Sequence, residues 1–456
     1  MQTFDAIIIG SGQAGTPLAF KLASEGQSVA FIEKDRLGGT CVNTGCTPTK
    51  AYVASARRMW EAQNGESLGI DIPKGSLANL PKIKSRKDAL VKESVDGIHQ
   101  GIENEKKISF FQGEATFSAP KTIQVNDKTL RAENIYINTG ARPNIPDDFS
   151  QVPYLTNADI LELETLPEHL IIIGGSYIGL EFGQMFRRFG SKVTIIEKGD
   201  QIIGKEDKDI SEAILEFMKK EGIDFRLKAK CIGGKKNDDG TITVSIDCED
   251  TPKEITGSHL LLAVGRLPNT ETLNLKATGI ETDERGYITV DDTLQTNVAG
   301  IYALGDCNGK GAFTHTAYND YEIIAANTFE DKSRKVSDRI LTYGLYVDPP
   351  LGRAGMTKKE ALEKGFDVRE AFQPMSNVAR AKEKGETHGF MRILIDGKTD
   401  KILGAAILGT GGDEIISGIL NIMYADAPYK TFRDSVIPHP TVSELIPTML
   451  ENLKKV

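Results

Sequence analysis

The feature that most constrains this chain is a unit that occurs twice in one register. Ala6-Ile7-Ile8-Ile9 reads as a buried strand, Gly10-Ser11-Gly12-Gln13-Ala14-Gly15 as a glycine-rich turn, and the residues to about Gly26 as a helix. Val29-Ala30-Phe31-Ile32 then returns as a strand ending in Glu33. In a βαβ unit of this kind the glycines let a pyrophosphate approach the helix N-terminus, and the acid holds ribose hydroxyls. Leu170-Ile171-Ile172-Ile173, Gly174-Gly175-Ser176-Tyr177-Ile178-Gly179, a helix to Gly190, and Val193-Thr194-Ile195-Ile196-Glu197 repeat it. Gly10 and Gly174, Gly15 and Gly179, Gly26 and Gly190, and Glu33 and Glu197 are each 164 residues apart. Four matches in one register predict two dinucleotide-binding domains. Ser176 is the departure: it stands where the middle glycine belongs and is expected to crowd the pyrophosphate or replace a close backbone contact with a hydroxyl one.

Directly after the first unit comes Gly38-Gly39-Thr40-Cys41-Val42-Asn43-Thr44-Gly45-Cys46-Thr47-Pro48-Thr49-Lys50. Pro48 suits the first turn of a helix, where its missing N–H is not needed. Cys46 then falls at the positive end of that helix, where a thiolate is favoured. Five helical steps would separate Cys41 and Cys46 by about 7.5 Å, beyond the roughly 7 Å that a disulfide tolerates between Cα atoms. Cys41 is therefore expected in a bend before the helix. A structural pair or half of a zinc site are the other readings, but zinc wants four ligands at close spacing and no second cluster exists. The pair reads as a redox-active disulfide.

With five cysteines in 456 residues the chain is no secreted disulfide scaffold. A net charge of −9 without a Lys/Arg stripe argues against nucleic acid or an anionic membrane as partner. No apolar run has membrane-span length, and Met1-Gln2-Thr3-Phe4-Asp5 enters a strand without a basic leader, so the cytoplasm is expected.

Residues 51–64 are predicted helical, with Arg57 and Arg58 on a solvated face and Trp60 in a core or interface. Residues 82–107, from Lys82-Ile83-Lys84-Ser85-Arg86-Lys87 onward, read as a charged amphipathic helix whose polar face is solvated. Two apolar strands end alike, in Gly140-Ala141-Arg142-Pro143-Asn144 and Gly265-Arg266-Leu267-Pro268-Asn269, as suits a chain leaving a nucleotide domain. Ile301-Tyr302-Ala303-Leu304-Gly305-Asp306 is a further strand ending in an acid able to accept from ligand hydroxyls. Cys231, Cys248 and Cys307 are read as packing residues. From Asp338 the pattern becomes α+β. Near its end, Pro438-His439-Pro440-Thr441-Val442-Ser443-Glu444 places a carboxylate where it can orient the His439 ring as a base. His99, His169, His259, His315 and His388 are read as structural.

These residues resemble the FAD-dependent pyridine-nucleotide disulfide oxidoreductases, the family of dihydrolipoamide dehydrogenase, glutathione reductase and mercuric reductase. The resemblance spans essentially the whole chain and implies an α/β fold with two Rossmann-like domains and a C-terminal α+β dimerisation domain. FAD would lie on residues 1–146 with 271–338, NAD(P)H on 147–270, and dimerisation on 339–456. Cys41 matches the thiol that attacks substrate and Cys46 the thiol that contacts flavin. Lys50 matches the lysine near the flavin, paired with Glu181. Gly10, Gly12, Gly15, Glu33, Thr40, Lys50, Ala115, Thr139, Gly140, Asp306 and Thr314 fall where the family holds FAD. Gly174, Ser176, Tyr177, Ile178, Gly179, Glu197 and Gly265 fall on the nicotinamide-nucleotide side, with Tyr177 as the gate of the nicotinamide pocket. In the family the last domain lends its His and Glu to the partner chain, which maps onto His439 and Glu444 of a homodimer.

The reaction implied runs from NADH through FAD to the Cys41–Cys46 pair and on to a small disulfide or oxidised-sulfur substrate. Glu197 can accept from the 2′-hydroxyl of NAD but would face a 2′-phosphate, and no arginine lies between residues 191 and 205. NADH is therefore expected over NADPH, with NADPH still open because Lys198 and Lys205 are near. The cysteine loop is most similar to the mercuric reductase branch, yet the end of the sequence, Met449 to Val456, carries no cysteine pair, so mercury reduction is not expected. Thr47, Thr49 and Pro438 depart from the lipoamide dehydrogenase pattern, though that activity remains the alternative, with NADH oxidase or peroxidase activity behind it.

Overall fold

A computed structural model describes residues 1–456 except 72–76, 248–252 and 331. Cys248 and the side chain of Cys231 lie outside the description. The first unit folds as β1 (Gln2–Ile9), α1 (Gly15–Ser24) and β2 (Val29–Glu33). The cysteine stretch follows as α2 (Gly39–Asn43) and α3 (Cys46–Gln63), and α4 (Leu80–Asn104) leads to β3 (Ile108–Gln112). β4 (Ala115–Ala119), β5 (Thr122–Val125), β6 (Lys128–Ile137) and the short exit β7 (Ala141–Pro143) come next. The strands assemble in the order β3-β2-β1-β6-β5-β4, parallel through β3, β2, β1 and β6. Ala6, Ile7, Ile8 and Ile9 are all buried, so that half of β1 is apolar without alternation, while Gln2, Thr3 and Asp5 at its start are exposed.

The second unit is β8 (His169–Ile173), α5 (Tyr177–Phe189) and β9 (Lys192–Ile196), continued by α6 (Lys208–Lys220) and β10 (Asp224–Arg226). β11 (Lys230–Lys236), β12 (Ile242–Asp247) and β13 (Glu254–Gly257) form an antiparallel sheet of their own. β14 (His259–Leu262) completes the parallel order β10-β9-β8-β14. The two units pair their strands identically: Ala6 opposes Val29 as Leu170 opposes Val193. The exit β15 (Arg266–Pro268) pairs antiparallel with β7, so the two similar glycine–proline exits lie side by side. β16 (Ile301–Ala303) returns to the first sheet beside β6, and α7 (Thr314–Phe329) follows.

The C-terminal portion contains β17 (Thr342–Leu345), β18 (Leu351–Gly355), α8 (Lys358–Glu363), β19 (Val368–Pro374), α9 (Ala379–Glu383), β20 (Phe390–Asp396), β21 (Ile402–Leu408) and α10 (Gly412–Tyr424). Its sheet is antiparallel in the order β17-β18-β21-β20-β19, with Lys454–Lys455 at the edge.

Ion pairs, buried at Arg188 and partly buried at Arg57, hold this portion against the two helices that carry the site. Arg57 is not on a solvated face: its Nη1 lies 2.6 Å from Asp348 Oδ1 and its other amino group pairs with Glu386. Asp348 also receives Arg188 of α5 at 2.7 Å, and the Arg188 guanidinium lies 4.7 Å from the Trp60 ring centre. Lys87 likewise departs from the solvated reading of α4, being buried against Glu162 at 2.7 Å. A second joint pairs Arg353 of β18 with Glu206, both side chains fully buried, and Tyr343 donates its hydroxyl proton to the same carboxylate. Removing one member of such a pair strands the other charge. Arg353→Ala is expected to cost about 3–5 kcal/mol, read as a fall in the thermal denaturation midpoint of the holoenzyme.

Candidate active site

The cysteine stretch makes two helical segments rather than a bend and a helix. Cys41 lies within the short α2, which corrects the expected bend, and Thr44 and Gly45 break the chain before α3 starts at Cys46. The break needs a glycine, because a Cβ on Gly45 would come 2.8 Å from the Thr40 carbonyl oxygen. Cys46 is thus the first residue of an 18-residue helix and stands open to a cleft, while Cys41 is half-buried. Both thiols are free, and each sulfur lies 3.1 Å from the hydroxyl oxygen of Thr314, the first residue of α7.

The pair is electrostatically unequal. A hydrogen bond from Cys41 lowers the Cys46 thiol to about 6, with Thr314 and the Lys50 ammonium adding to the effect against burial and Glu181. The same hydrogen bond and its own burial push Cys41 up. Near neutral pH the arrangement therefore holds a Cys46 thiolate beside a Cys41 thiol.

One turn beyond Cys46, Lys50 Nζ lies 2.5 Å from Glu181 Oε2 and 4.4 Å from the Tyr346 ring centre. The other Glu181 oxygen accepts from the Tyr346 backbone N–H at 3.0 Å. Tyr177 and Glu181 are four residues apart on α5 and so share a face. The Tyr177 ring meets Phe313 and Tyr343 edge-on at 5.7 and 5.5 Å.

The two glycine turns are built alike. Ser11 and Asp35 donate backbone N–H groups to Glu33 at 2.9 and 2.8 Å; Gly175 and Gly199 do so to Glu197, both at 2.7 Å. A Cβ on Gly15 would meet the Gly10 carbonyl oxygen at 2.1 Å, and one on Gly179 would meet that of Gly174 at 1.9 Å. Gly10 and Gly174 have φ of 103° and 110°. The difference at Ser176 has a local cause. A Cβ on Gly12 would come 2.7 Å from the side-chain oxygen of Asn138, which also accepts from the Gly15 N–H at 2.9 Å. The counterpart of Asn138 is Ala263: their N–H groups bond Ile9 and Ile173, and their carbonyls face Gly10 and Gly174. With alanine there, the protein-side obstacle that demands glycine at position 12 has no counterpart at Ser176.

All of this converges on one cleft of about 2950 Å³. Gly10, Gly12, Glu33, Thr40, Cys41, Cys46, Lys50, Ala115, Thr139, Gly140, Asp306 and Thr314 line it. So do Ser176, Tyr177, Ile178, Glu181, Glu197 and Gly265. Gly15, Gly174 and Gly179 stand behind its wall as backbone spacers. The wall fits a dinucleotide. The buried Thr139 hydroxyl has no hydrogen-bond partner among the described residues, and the Asp306 carboxyl, raised by burial, sits 3.7 Å from Arg266 at the strand end. Arg266 was not anticipated; its position after a Gly at a strand exit is the only signal it left. Cys307, by contrast, is fully buried, its sulfur against the Ile137 and Leu304 carbonyls. His439 and Glu444 do not line the cleft. They form a separate pair, Nδ1 to Oε2 2.8 Å, with the imidazole 77% exposed.

Among the described residues no group of metal-ligating side chains is assembled, and no helix is long and apolar enough to cross a membrane. Two nucleotide folds sharing one cleft with a thiol pair at a helix N-terminus define a flavoprotein disulfide reductase. The family model for pyridine nucleotide-disulphide oxidoreductase matches residues 4–320, and that for its dimerisation domain residues 342–450. The chain belongs to the pyridine nucleotide-disulphide oxidoreductase family; it is an enzyme, and its cofactors are FAD and NAD(P)H. It is similar to a mercuric reductase of Staphylococcus aureus, 33% identical over 97% of this chain and 81% of that one. It is similar to a dihydrolipoyl dehydrogenase of Thermus scotoductus, 32% identical over 100% of this chain and 98% of that one. The solved HOCl-induced flavoprotein disulfide reductase RclA of Escherichia coli superposes with a TM-score of 0.89 at 32% identity, covering 98% and 99% of the two chains.

Proposed function

We propose that this protein is an NADH-dependent reductase of small disulfides or related oxidised sulfur compounds, with Cys41 and Cys46 as its working dithiol. The observation that carries the reading is the unequal pair itself, a Cys46 thiol lowered to about 6 beside a raised Cys41, in the cleft shared by both glycine turns. Residues 1–146 with 271–338 are read as the FAD portion, 147–270 as the nicotinamide-nucleotide portion and 339–456 as the dimerisation portion. FAD, when bound, supplies the two-electron link between nicotinamide and the cysteine pair. Gly10, Gly12, Gly15, Glu33, Thr40, Lys50, Ala115, Thr139, Gly140, Asp306 and Thr314 would hold it. Gly174, Ser176, Ile178, Gly179, Glu197 and Gly265 would hold the nicotinamide nucleotide, with Tyr177 as the movable cover. Lys50, tethered by Glu181, keeps positive charge one turn from Cys46.

The thiol chemistry balances without further reagents. His439 of a second chain takes the proton of Cys41, and the thiolate attacks one sulfur of the substrate. The substrate S–S bond breaks and the departing thiolate recovers the proton from the imidazolium. The Cys46 thiolate then attacks the Cys41 sulfur, closing the Cys41–Cys46 disulfide and releasing the second product as a thiolate, which takes its proton from water. Two electrons from NADH reopen the disulfide.

NADH is preferred over NADPH because Glu197, with Asp200 also on the wall, meets the ribose end, where a 2′-phosphate would bring further negative charge. Anaerobic titration of the flavin-loaded enzyme tests the whole reading. NADH should reduce it with a long-wavelength thiolate-to-flavin band that fades as pH falls through about 6, and NADH should exceed NADPH at least about tenfold in kcat/KM. Absence of the band would end the proposal, and a clear NADPH preference would end its cofactor clause. A substrate screen should include lipoamide, glutathione disulfide, coenzyme A disulfide, thiocyanate-type oxidants, Hg²⁺ and Cu(II), the last because one solved form of RclA is a Cu(II) complex. The solved relative's printed name, HOCl-induced and disulfide reductase, supports an oxidised-sulfur substrate.

A further inference from the structure

Thr314 is expected at the flavin by resemblance, and the structure adds contacts that the resemblance did not supply. Its hydroxyl oxygen is 3.1 Å from Cys41 Sγ and 3.1 Å from Cys46 Sγ, across 273 and 268 residues of sequence. Two helices also begin at this point, α3 at Cys46 and α7 at Thr314, so the hydroxyl that meets both sulfurs is carried by the first residue of a second helix. A threonine hydroxyl has one proton and can donate it to one sulfur at a time.

We propose that Thr314 is a catalytic residue of the dithiol: its single hydroxyl proton goes to whichever of the two sulfurs is anionic, holding Cys46 as the thiolate at rest and turning to Cys41 when that sulfur ionises. This rests on the reading that Cys41 and Cys46 are the working pair, and goes beyond it by assigning a donor. At rest the Cys46 thiolate accepts from both the Cys41 S–H and the Thr314 O–H. Once a base has taken the Cys41 proton, the first of these donors is lost, and the Thr314 O–H can turn about the Cβ–Oγ1 bond to the new anion while the oxygen stays in place. A side chain serving only to pack would not need an oxygen at that place.

The other charged or titratable groups facing Cys46 are Cys41 on α2, Lys50 on α3, Glu181 on α5, Arg266 on β15, and Tyr346 after β17. None of these is altered by changing Thr314, so its share can be read alone. Thr314→Val keeps the shape and removes the donor; Thr314→Ser keeps the donor and removes the methyl group. Charge-assisted hydrogen bonds are worth enough to move a thiol by about one pH unit.

The test is the pH midpoint of the long-wavelength band in the NADH-reduced holoenzyme, paired with the rate of alkylation of the reduced enzyme by iodoacetamide. Thr314→Val should raise the band midpoint by about one unit and slow alkylation at pH 6 about fivefold, and Thr314→Ser should restore both. If the valine variant binds flavin poorly, alkylation of the dithiothreitol-reduced chain and the same titration on Thr314→Ala carry the test. Unshifted midpoints in the valine and alanine variants, or a serine variant that behaves like valine, would overturn the proposal. A wild-type enzyme lacking the band would instead sink the dithiol reading, so the two failures are distinguishable.

Discussion

Replacing either cysteine abolishes turnover of disulfide substrates, by on the order of 10³-fold or more, but the two variants differ in colour. Cys41→Ser removes the nucleophile and leaves the Cys46 thiolate in place. The serine hydroxyl can still donate to that thiolate, so the reduced enzyme keeps its long-wavelength band. Cys46→Ser removes the thiolate itself, and the band is lost at every pH. A third variant makes the asymmetry quantitative. The largest influence lowering Cys46 is the hydrogen bond from Cys41. Cys41→Ala deletes that donor, where serine preserves it, so its band should need a higher pH to develop than that of Cys41→Ser. Spectra recorded from pH 5 to 9 check all three. Equal behaviour of Cys41→Ser and Cys46→Ser would contradict the assignment of unequal roles, and equal midpoints in the serine and alanine variants would contradict the hydrogen bond as its cause.

The sequence carried what is local in the chain. The turn needs glycine at 15 because a Cβ there would strike the Gly10 carbonyl five residues earlier, and at 10 because its φ is positive; Gly179 and Gly174 repeat both reasons. Strand register, acid and helix start follow from that geometry. The parts that were not legible depend on residues far along the chain. What Ser176 meets on the protein side is decided by Ala263, whose counterpart Asn138 forbids a side chain at Gly12. Arg57 looked solvated because its partners Asp348 and Glu386 lie 291 and 329 residues on. Thr314 was placed by resemblance at the flavin, and no spacing could reveal that its side chain reaches two sulfurs from the start of a different helix. Tyr346, whose backbone steadies Glu181, left no mark in the sequence at all, since any residue except proline supplies an N–H.

His439→Ala should lower disulfide turnover by about 10²- to 10⁴-fold, the range for removal of a positioned acid–base group. The more telling experiment mixes it with a second dead enzyme. Within one chain His439 is 77% exposed, tied to Glu444 and off the wall of the cleft that holds Cys41. If the working site joins Cys41 of one chain to His439 of another, a heterodimer of a His439→Ala chain with a Cys41→Ser chain contains one intact site. The other site in that dimer lacks both groups. Twofold symmetry then predicts about half of wild-type activity for the purified heterodimer, and about a quarter for a statistical mixture of subunits. If each site were built from a single chain, every site in the heterodimer would lack one group and no activity would return. Co-expression with two different affinity tags and sequential purification isolates the heterodimer, and a single activity measurement separates the two arrangements. Recovery also reports on Glu444. Adding Glu444→Gln to the chain that supplies the intact histidine should lower the recovered rate, because the carboxylate that orients Nδ1 is lost. The same change in the His439→Ala chain should leave it untouched.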